Sequence, residues 1–547
     1  MSKDFLDEKL YSSFILKHMP RVLSQINRDS DMPTYGSCDR NYWHLNIRDF
    51  SSAILQQTCL TLALLYKQDF TGNCCYANEN VREWSVAALR YMEKIQLGDG
   101  SFNEYYPNEH GFPPTAFNLF AGCETYRLLQ LDDKDILHAL GKAAKWLCNH
   151  DEIDACNQAW AAIAGLYKYY LITNEKSILD IVRRKVDSVL ALYSEEGWFP
   201  EQGGADMGYS SVTLDMLTEY YAESRDERLK PVIVRMVEFL SHFVHPDGTI
   251  GGEYGSRNTT YFLPAGLETC VQLHLNEETA KAIIQKLYSE NEEIGFCDSI
   301  DDRYLSHYIM HSWLRALARF TSRPRTQKAL PFCTVHRAYF SESGLMTLFN
   351  GEYYAVANLK KGGLLKIFRE NKELFCDCGY RIPIDKGKVA VTNWLDREYE
   401  IFVNENEFTV RGKFSLVKLR VQNPGYHFLL RISALICGGR LHNDIKRMTI
   451  FQNTHYGAWF ERKVIFGNDT VQVEDTVNNP TQKTVCRAPN TSLRLVASGK
   501  FFGYSDLLNP VLTNYGCSKM LKISKTFLIP DREMKETVVT EIPASPF

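Results

Sequence analysis

The chain has 547 residues, of which 45% are apolar and 23% are charged, and its net charge is −4. This composition excludes a disordered or fibrous protein, and the length exceeds what one hydrophobic core supports, so at least two domains are expected. No long basic run occurs, which argues against nucleic acid as the main partner. No secretory signal and no run approaching 18 apolar residues is visible, so we expect a cytoplasmic protein without a membrane span.

The fifteen cysteines are irregularly spaced and include Cys376 and Cys378. Residues two apart on a strand do not satisfy disulfide geometry. No second Cys or His pair follows at the spacing of a zinc site. The sequence therefore predicts free thiols, and neither a metal nor a cofactor is expected.

A Gly/Asp-rich loop recurs about every fifty residues through the first 310 residues, which is typical of a repeat architecture. Its clearest copies are residues 99–104, 197–201 and 247–253. Between the loops, segments with helical spacing occur in pairs. The first segment of each pair is richer in small, aromatic and hydroxyl residues, and the second is amphipathic. About six such hairpins fit, which predicts an incomplete (α/α) toroid whose long loops converge on one side.

The composition changes at residues 321–325, which we interpret as a linker. Beyond it, short apolar runs are separated by turn signals, and polar and apolar residues alternate over 409–421 and 459–466. This pattern predicts an antiparallel β-sandwich without intervening helices. The predicted fold is therefore a multidomain α+β protein, with a toroid over residues 1–325 and a β-domain over 326–547.

The predicted loop side of the toroid carries acids, a few cations, aromatic rings and amides. Such a set is suited to a carbohydrate, especially an acidic one paired by arginines. An alternative is that Glu104, Glu201 and Glu253, which recur at matched positions, brace loops or cap helices. His307 and His311 lie four residues apart and, without a third ligand, indicate a core or rim pair. The candidate substrate-binding residues are Arg40, Trp43, Arg48, Glu104, Glu201, Asp206, Glu253, Tyr254, Arg257, Asn258 and Tyr308.

The run from Asn157 to Tyr170 resembles the helix that begins with the catalytic asparagine in heparinase II/III-type and alginate-lyase-type polysaccharide lyases. Residues 197–209 resemble the following loop and helix, which carries their catalytic tyrosine, and residues 362–380 are similar to their sheet region. The resemblance implies an (α/α) toroid with a C-terminal antiparallel β-domain. It also implies β-elimination on a uronate-containing oligosaccharide or polysaccharide.

Carried over by position, the resemblance assigns Asn157 to neutralise the uronate carboxylate and Tyr209 to act as acid or base. His110 is our candidate for an assisting base, chosen on its loop position alone. Two other functions stay open. One is glycoside hydrolysis by two carboxylates among Glu104, Glu201, Asp206 and Glu253, and the other is non-catalytic glycan binding in a surface-polysaccharide pathway.

Overall fold

The structure is a computed structural model that describes residues 5–290, 296–385, 387–418, 423–438, 454–489, 501–507 and 513–540. Helices dominate its first part and strands its second. A π-helical turn, Leu305–Ile309, joins two of the helices. The helices are α1 Lys9–Leu23, α2 Arg40–Trp43, α3 Thr58–Lys67, α4 Glu79–Lys94, α5 Phe112–Leu128, α6 Lys134–Cys148, α7 Cys156–Thr173, α8 Lys176–Leu190, α9 Met207–Ser224, α10 Leu229–Ser241, α11 Ala265–Gln272, α12 Glu277–Ser289, α13 Phe296–Ser299, α14 Asp302–Tyr304, α15 Met310–Arg319 and α16 Pro424–Cys437.

The helices up to α15 form a double ring. The inner helices α3, α5, α7, α9, α11 and α15 each pack on the next, and α15 packs on α3. The outer helices α4, α6, α8, α10, α12 and α1 pack against them from outside. The inner helix α9 is buried along nearly its whole length, whereas the outer helix α8 buries one stripe that includes Ile178, Val182 and Val186. The predicted toroid of helical hairpins is confirmed.

The recurring Asp-Gly loops have a structural basis. The Oδ1 atom of Asp99 accepts hydrogen bonds from the backbone N (3.0 Å) and the hydroxyl (2.6 Å) of Ser101. Asp247 binds Thr249 in the same way, at 2.9 and 2.7 Å. Gly100 has φ of +98°, and a Cβ there would lie 2.3 Å from the carbonyl oxygen of Lys142. The Asp99 copy of the loop therefore turns tightly against the outer helix α6, which accounts for its Asp-Gly pair.

The strands form two large antiparallel sheets and one small pair. The five-stranded sheet has the order β3-β4-β5-β6-β7, and the larger sheet runs β15-β14-β8-β9-β11-β12-β13-β16-β17, with β10 paired to β11. The strands are β1 Phe5–Leu6, β2 Arg323–Pro324, β3 His336–Phe340, β4 Leu345–Phe349, β5 Tyr354–Asn358, β6 Leu364–Arg369, β7 Lys372–Asp377, β8 Tyr380–Asp385, β9 Lys388–Val391, β10 Glu400–Val403, β11 Glu407–Lys418, β12 His455–Phe466, β13 Thr470–Asn478, β14 Val485–Arg487, β15 Asn514–Gly516, β16 Met520–Leu528 and β17 Glu533–Thr540.

The five-stranded sheet lies between the toroid and the larger sheet. Along β5, Tyr354 and Val356 belong to the apolar core shared with the toroid, whereas Ala355 and Ala357 belong to the core shared with the larger sheet. This alternation follows from the two-residue period of a strand. The β-domain is therefore packed against the helices rather than tethered beside them.

Two expectations about the second half need correction. The β-domain contains a helix, α16, which begins at Asn423-Pro424, where the side chain of Asn423 accepts a hydrogen bond from the backbone N of Tyr426 (3.0 Å). An Asn cap followed by Pro is a helix-start signal that strand alternation on either side obscured. The segment interpreted as a linker instead pairs with the N-terminus as β2, and its Arg323 forms an ion pair with buried Glu268 (2.7 Å). Among the described helices, none has the length and apolar character needed to cross a membrane.

Candidate active site at the mouth of the toroid

Tyr209 and Arg257 are brought together by the buried carboxylate of Asp206. Asp206 caps α9, where its Oδ1 accepts the backbone N–H of Tyr209 (3.2 Å), while its Oδ2 accepts the backbone N–H of Arg257 (2.9 Å). The guanidinium carbon of Arg257 lies 5.3 Å from the centroid of the Tyr209 ring, a cation–π distance. Asp206 itself is fully buried, and its carboxylate positions these two residues.

Tyr209 is half-buried within a group of tyrosines. The Tyr261 ring meets it edge-on at 5.9 Å and lies 5.8 Å from the Tyr304 ring. Burial raises the pKa of Tyr209, and the charge of Arg257 opposes this shift. The phenol is therefore protonated at neutral pH and is suited to donating a proton.

Asn157 and Glu201 form a buried pair behind this group. Glu201 accepts hydrogen bonds from the backbone N and from Nδ2 of Asn157, both at 2.8 Å. Burial raises the pKa of Glu201 to about 8, although Asn157 and the charge of Arg257 favour its ionised form. Asn157 is 2% exposed. The two residues that resemble catalytic positions, Asn157 and Tyr209, thus belong to one polar cluster, with Tyr209 on its accessible side and Asn157 behind it.

A second arginine–tyrosine pair lies at the same mouth. Arg303 donates a hydrogen bond to Glu104, and its guanidinium carbon is 5.4 Å from the ring of Tyr105. Burial raises the pKa of Glu104, while the nearby charges of Arg303 and Arg48 oppose the shift. Tyr105 is 53% exposed and the side chain of Arg303 is 26% exposed. This pair therefore presents a cation and an aromatic ring to solvent.

Arg40 and Trp43 are bound to the end of α1. Arg40 Nη1 donates to the carbonyl oxygen of Ser24 (3.4 Å), and Trp43 Nε1 donates to that of Gln25 (2.7 Å). These bonds hold α2 and the loop that follows it at the rim of the toroid. The structure therefore places Arg40 and Trp43 in a different contact group from Tyr209.

Glu253, Tyr254 and Asn258 serve the joint between the two halves of the molecule. Glu253 forms an ion pair with Lys366 (2.9 Å), and Asn258 accepts a hydrogen bond from Lys361 Nζ (2.6 Å). Tyr254 has no exposed surface, and its hydroxyl is hydrogen-bonded to His245 Nε2 (2.8 Å). The side chains of Glu253 and Asn258 are thus bound to lysines of the β-domain, whereas the Tyr254 hydroxyl is bound within the toroid and only its carbonyl oxygen accepts a hydrogen bond from the β-domain, from Asn358 (2.7 Å).

Tyr308 and His110 also have defined structural partners. Tyr308 is 2% exposed and donates its hydroxyl proton to the Tyr261 hydroxyl (2.7 Å), so it packs beneath the mouth and does not form its surface. His110 Nδ1 lies 2.7 Å from Asp99 Oδ2 and 2.9 Å from Ser101 Oγ. His110 thus belongs to the Asp99 loop, and its nitrogen is committed there.

His307, which the sequence indicated as part of a core or rim pair, has a different environment from His311. It lies in the π-helical turn, and such turns are frequent at functional sites. Its ring is 4.0 Å from the Tyr308 ring, and its Nε2 is buried without a hydrogen-bond partner among the described residues. Burial, together with the charge of Arg303, holds the pKa of His307 well below 6.5, so the ring is neutral. His311, in contrast, is hydrogen-bonded to Gln57 and Arg315.

The described residues include one group with the composition of a metal site, and it lies in the β-domain. The group comprises Asp396, Glu398 and His455, whose potential ligand atoms lie within 4.8 Å of one another. His455 Nε2 is 2.8 Å from Asp396 Oδ2, so a hydrogen bond between the two side chains accounts for this contact.

No protein-family model matches the chain, and neither does any curated protein sequence. Its fold matches solved structures. The chondroitin AC lyase of Streptomyces coelicolor A3, in complex with chondroitin sulphate, superposes with a TM-score of 0.52 at 10% identity, over 87% of this chain and 68% of that one. A single-residue variant of that lyase gives 0.50 over the same shares, also at 10% identity. Heparinase III gives 0.47 at 9% identity, over 97% and 96% of the two chains. The match to the chondroitin AC lyase shows that the chain shares that enzyme's fold, and in this chain the fold is an (α/α) toroid followed by an antiparallel β-domain.

Proposed function

We propose that the protein is a polysaccharide lyase that cleaves a uronate-containing glycan by β-elimination at the mouth of the toroid. The observation that carries this proposal is the half-buried, protonated phenol of Tyr209 stacked against the guanidinium of Arg257. A phenol in this position supplies the proton that a departing glycosidic oxygen requires.

The charges at the mouth match the demands of the reaction. The proton on C5 of a uronate, next to its carboxylate, becomes removable only when the negative charge that develops is stabilised. Arg257 supplies positive charge beside Tyr209, and Arg303 supplies it beside Tyr105. The Asn157–Glu201 pair, neutral when Glu201 is protonated, adds hydrogen-bonding capacity without adding negative charge. In this proposal Tyr209 donates its proton to the leaving oxygen while the C4–O bond breaks.

The proton acceptor is assigned to His307 in preference to His110. A neutral imidazole is required to accept the C5 proton, and the pKa of His307 lies well below 6.5. Its Nε2 has no hydrogen-bond partner within the described part of the chain, whereas the Nδ1 of His110 is bound to Asp99 and Ser101.

The substrate class follows from the same charges, and chondroitin sulphate is the natural first substrate to test because it occupies the similar lyase from Streptomyces coelicolor A3. Purified protein is incubated with chondroitin sulphate, heparan sulphate and alginate, with dextran as the uncharged control. Elimination leaves a C4–C5 unsaturated uronate, which absorbs in the ultraviolet. An absorbance that rises with an acidic glycan and not with dextran supports the proposal. An absorbance that stays unchanged with all the acidic glycans contradicts it.

Hydrolysis is the second candidate, and the pKa of Glu201 favours it. A glycosidase needs a carboxylic acid that is still protonated at neutral pH, and burial raises the pKa of Glu201 to about 8. The carboxylate of Asp206 is occupied by backbone N–H groups, and those of Glu104 and Glu253 are paired with Arg303 and Lys366. Hydrolysis would give new reducing ends without unsaturation, and these would disappear in Glu201→Gln. Glycan binding without turnover would instead assign a non-catalytic role.

A further inference from the structure

Helix α16 exposes an apolar face along its length. At about 100° per residue, one third of its circumference carries Phe428, Leu429, Ile432, Leu435 and Ile436. Phe428 is 64% exposed, Leu435 71% and Ile436 76%. Soluble proteins seldom leave such a contiguous apolar stripe open to water, so this face indicates an interaction surface.

The opposite face of α16 holds the helix in place. Ala434 is 5% exposed, and Arg431 forms an ion pair with Asp49, with Nη2 2.9 Å from Oδ1. Asp49 follows α2 at the rim of the toroid. The helix is therefore fixed against the rim with its apolar face directed away from the protein.

The chain around α16 is strongly basic. Residues 413–447 contain seven Lys and Arg residues and a single acidic residue, although the whole protein has a net charge of −4. Lys418, the last residue of β11 before the helix, is exposed, as is Lys413 within the same strand. A solvent-facing apolar stripe within a basic segment is typical of helices that lie on anionic membrane surfaces.

We propose that α16 docks the protein onto an anionic lipid surface, with its apolar face inserted between the headgroups. Its 14 residues span about 21 Å, which is too short to cross a bilayer but sufficient for a helix lying in the interface. The basic residues that flank the helix in the sequence are complementary in charge to anionic lipid. A second copy of the chain is disfavoured as the partner, because it would bring two basic segments together. This inference stands independently of the proposed reaction.

The test is flotation of the full-length protein with lipid vesicles. One vesicle population is phosphatidylcholine alone, and the other contains about 30% phosphatidylglycerol, in the range where anionic lipids attract basic segments. We expect binding to the anionic vesicles only, and release by high salt. The variant Phe428→Ser/Leu435→Ser/Ile436→Ser should bind at least about tenfold less, because it removes most of the inserted apolar surface.

A matched control is Ile153→Ser/Val335→Ser, since these two residues are 61% and 71% exposed elsewhere on the molecule. The control should float like the parent, and both variants should retain the parent's melting temperature because all five residues are exposed. Absence of parent binding to anionic vesicles would overturn the proposal, as would unchanged binding of the triple variant. A dimer detected by light scattering, lost in the triple variant and accompanied by no vesicle binding, would assign the face to a second copy instead.

Discussion

Glu201 and Glu253 occupy matched positions in two loops of the toroid but have opposite environments. Glu253 lies against the β-domain, where Lys366 neutralises it at 2.9 Å. Glu201 lies on the mouth side, where it accepts two N–H groups from Asn157 and its pKa rises to about 8. The repeat therefore determines the position of each glutamate in its loop. The surrounding residues determine its role, because Glu253 contacts the β-domain and Glu201 contacts Asn157.

The largest effect is expected at the mouth. Tyr209→Phe removes the proposed proton donor and should lower turnover by about 10²- to 10⁴-fold. The melting temperature should change little, because the ring and its stacking on Arg257 are kept. The assay is ultraviolet absorbance on the best acidic glycan. Tyr105→Phe is the matched control, since Tyr105 also stacks on an arginine. Equal losses in both variants would remove the special role of Tyr209.

A substitution at Lys366, where the β-domain contacts the toroid, should lower the stability of the protein. Lys366→Met leaves Glu253 and Glu373 buried without their cation, which should lower the free energy of unfolding by about 3–5 kcal/mol. Urea unfolding measures the change. Lys372→Met, on the exposed end of β7, is the control and should be neutral. A loss no larger than that of the control would show that the Lys366 pairs do not hold the joint.

Variants of His307 and His110 test which of the two histidines accepts the C5 proton. His307→Ala should lower kcat by about 10²-fold, the usual contribution of a general base, and should remove the acidic limb of the pH–rate profile. That limb should lie well below pH 6.5 in the parent, because burial and Arg303 lower the pKa of His307. His110→Ala should retain most of the activity. A large loss of activity in His110→Ala with little loss in His307→Ala would instead assign the proton acceptor to His110.

The smallest expected effect concerns Glu201 and pH. Its pKa is about 8 in the folded chain and 4.5 ordinarily, so between these values the unfolded chain releases a proton that the native state retains. The native state is therefore destabilised as pH rises through this window, by an amount on the order of 1–4 kcal/mol. The parent should therefore melt at a lower temperature at pH 8 than at pH 5.5, and this difference should be smaller in Glu201→Gln. The exposed Glu195→Gln should behave like the parent, and a parent without this slope would contradict the account.

The sequence predicted the architecture because its signals are local. The Asp99 and Asp247 loops recur with the hairpins, and strand alternation is visible in residues 459–466. The contacts of Glu253 and Asn258 were not predictable, because their partners Lys366 and Lys361 lie more than 100 residues away along the chain.

The candidate site was only partly visible in the sequence. Tyr209 and Arg257 were found from their loops, whereas Asp206 was expected to bind substrate and is observed to cap α9. His307 was interpreted as a core or rim residue because a π-helical turn leaves no clear pattern in the sequence. Helix α16 was missed because the strand alternation on either side of it obscured the start signal at Asn423-Pro424.

The most direct test of the central claim is mass analysis of the products formed from an acidic glycan. Elimination at Tyr209 predicts one product end that is lighter, by one water molecule, than the corresponding end from hydrolysis, and Tyr209→Phe should abolish its formation. Products with the full mass of hydrolysed ends, or the lighter product persisting undiminished in Tyr209→Phe, would contradict elimination at this mouth.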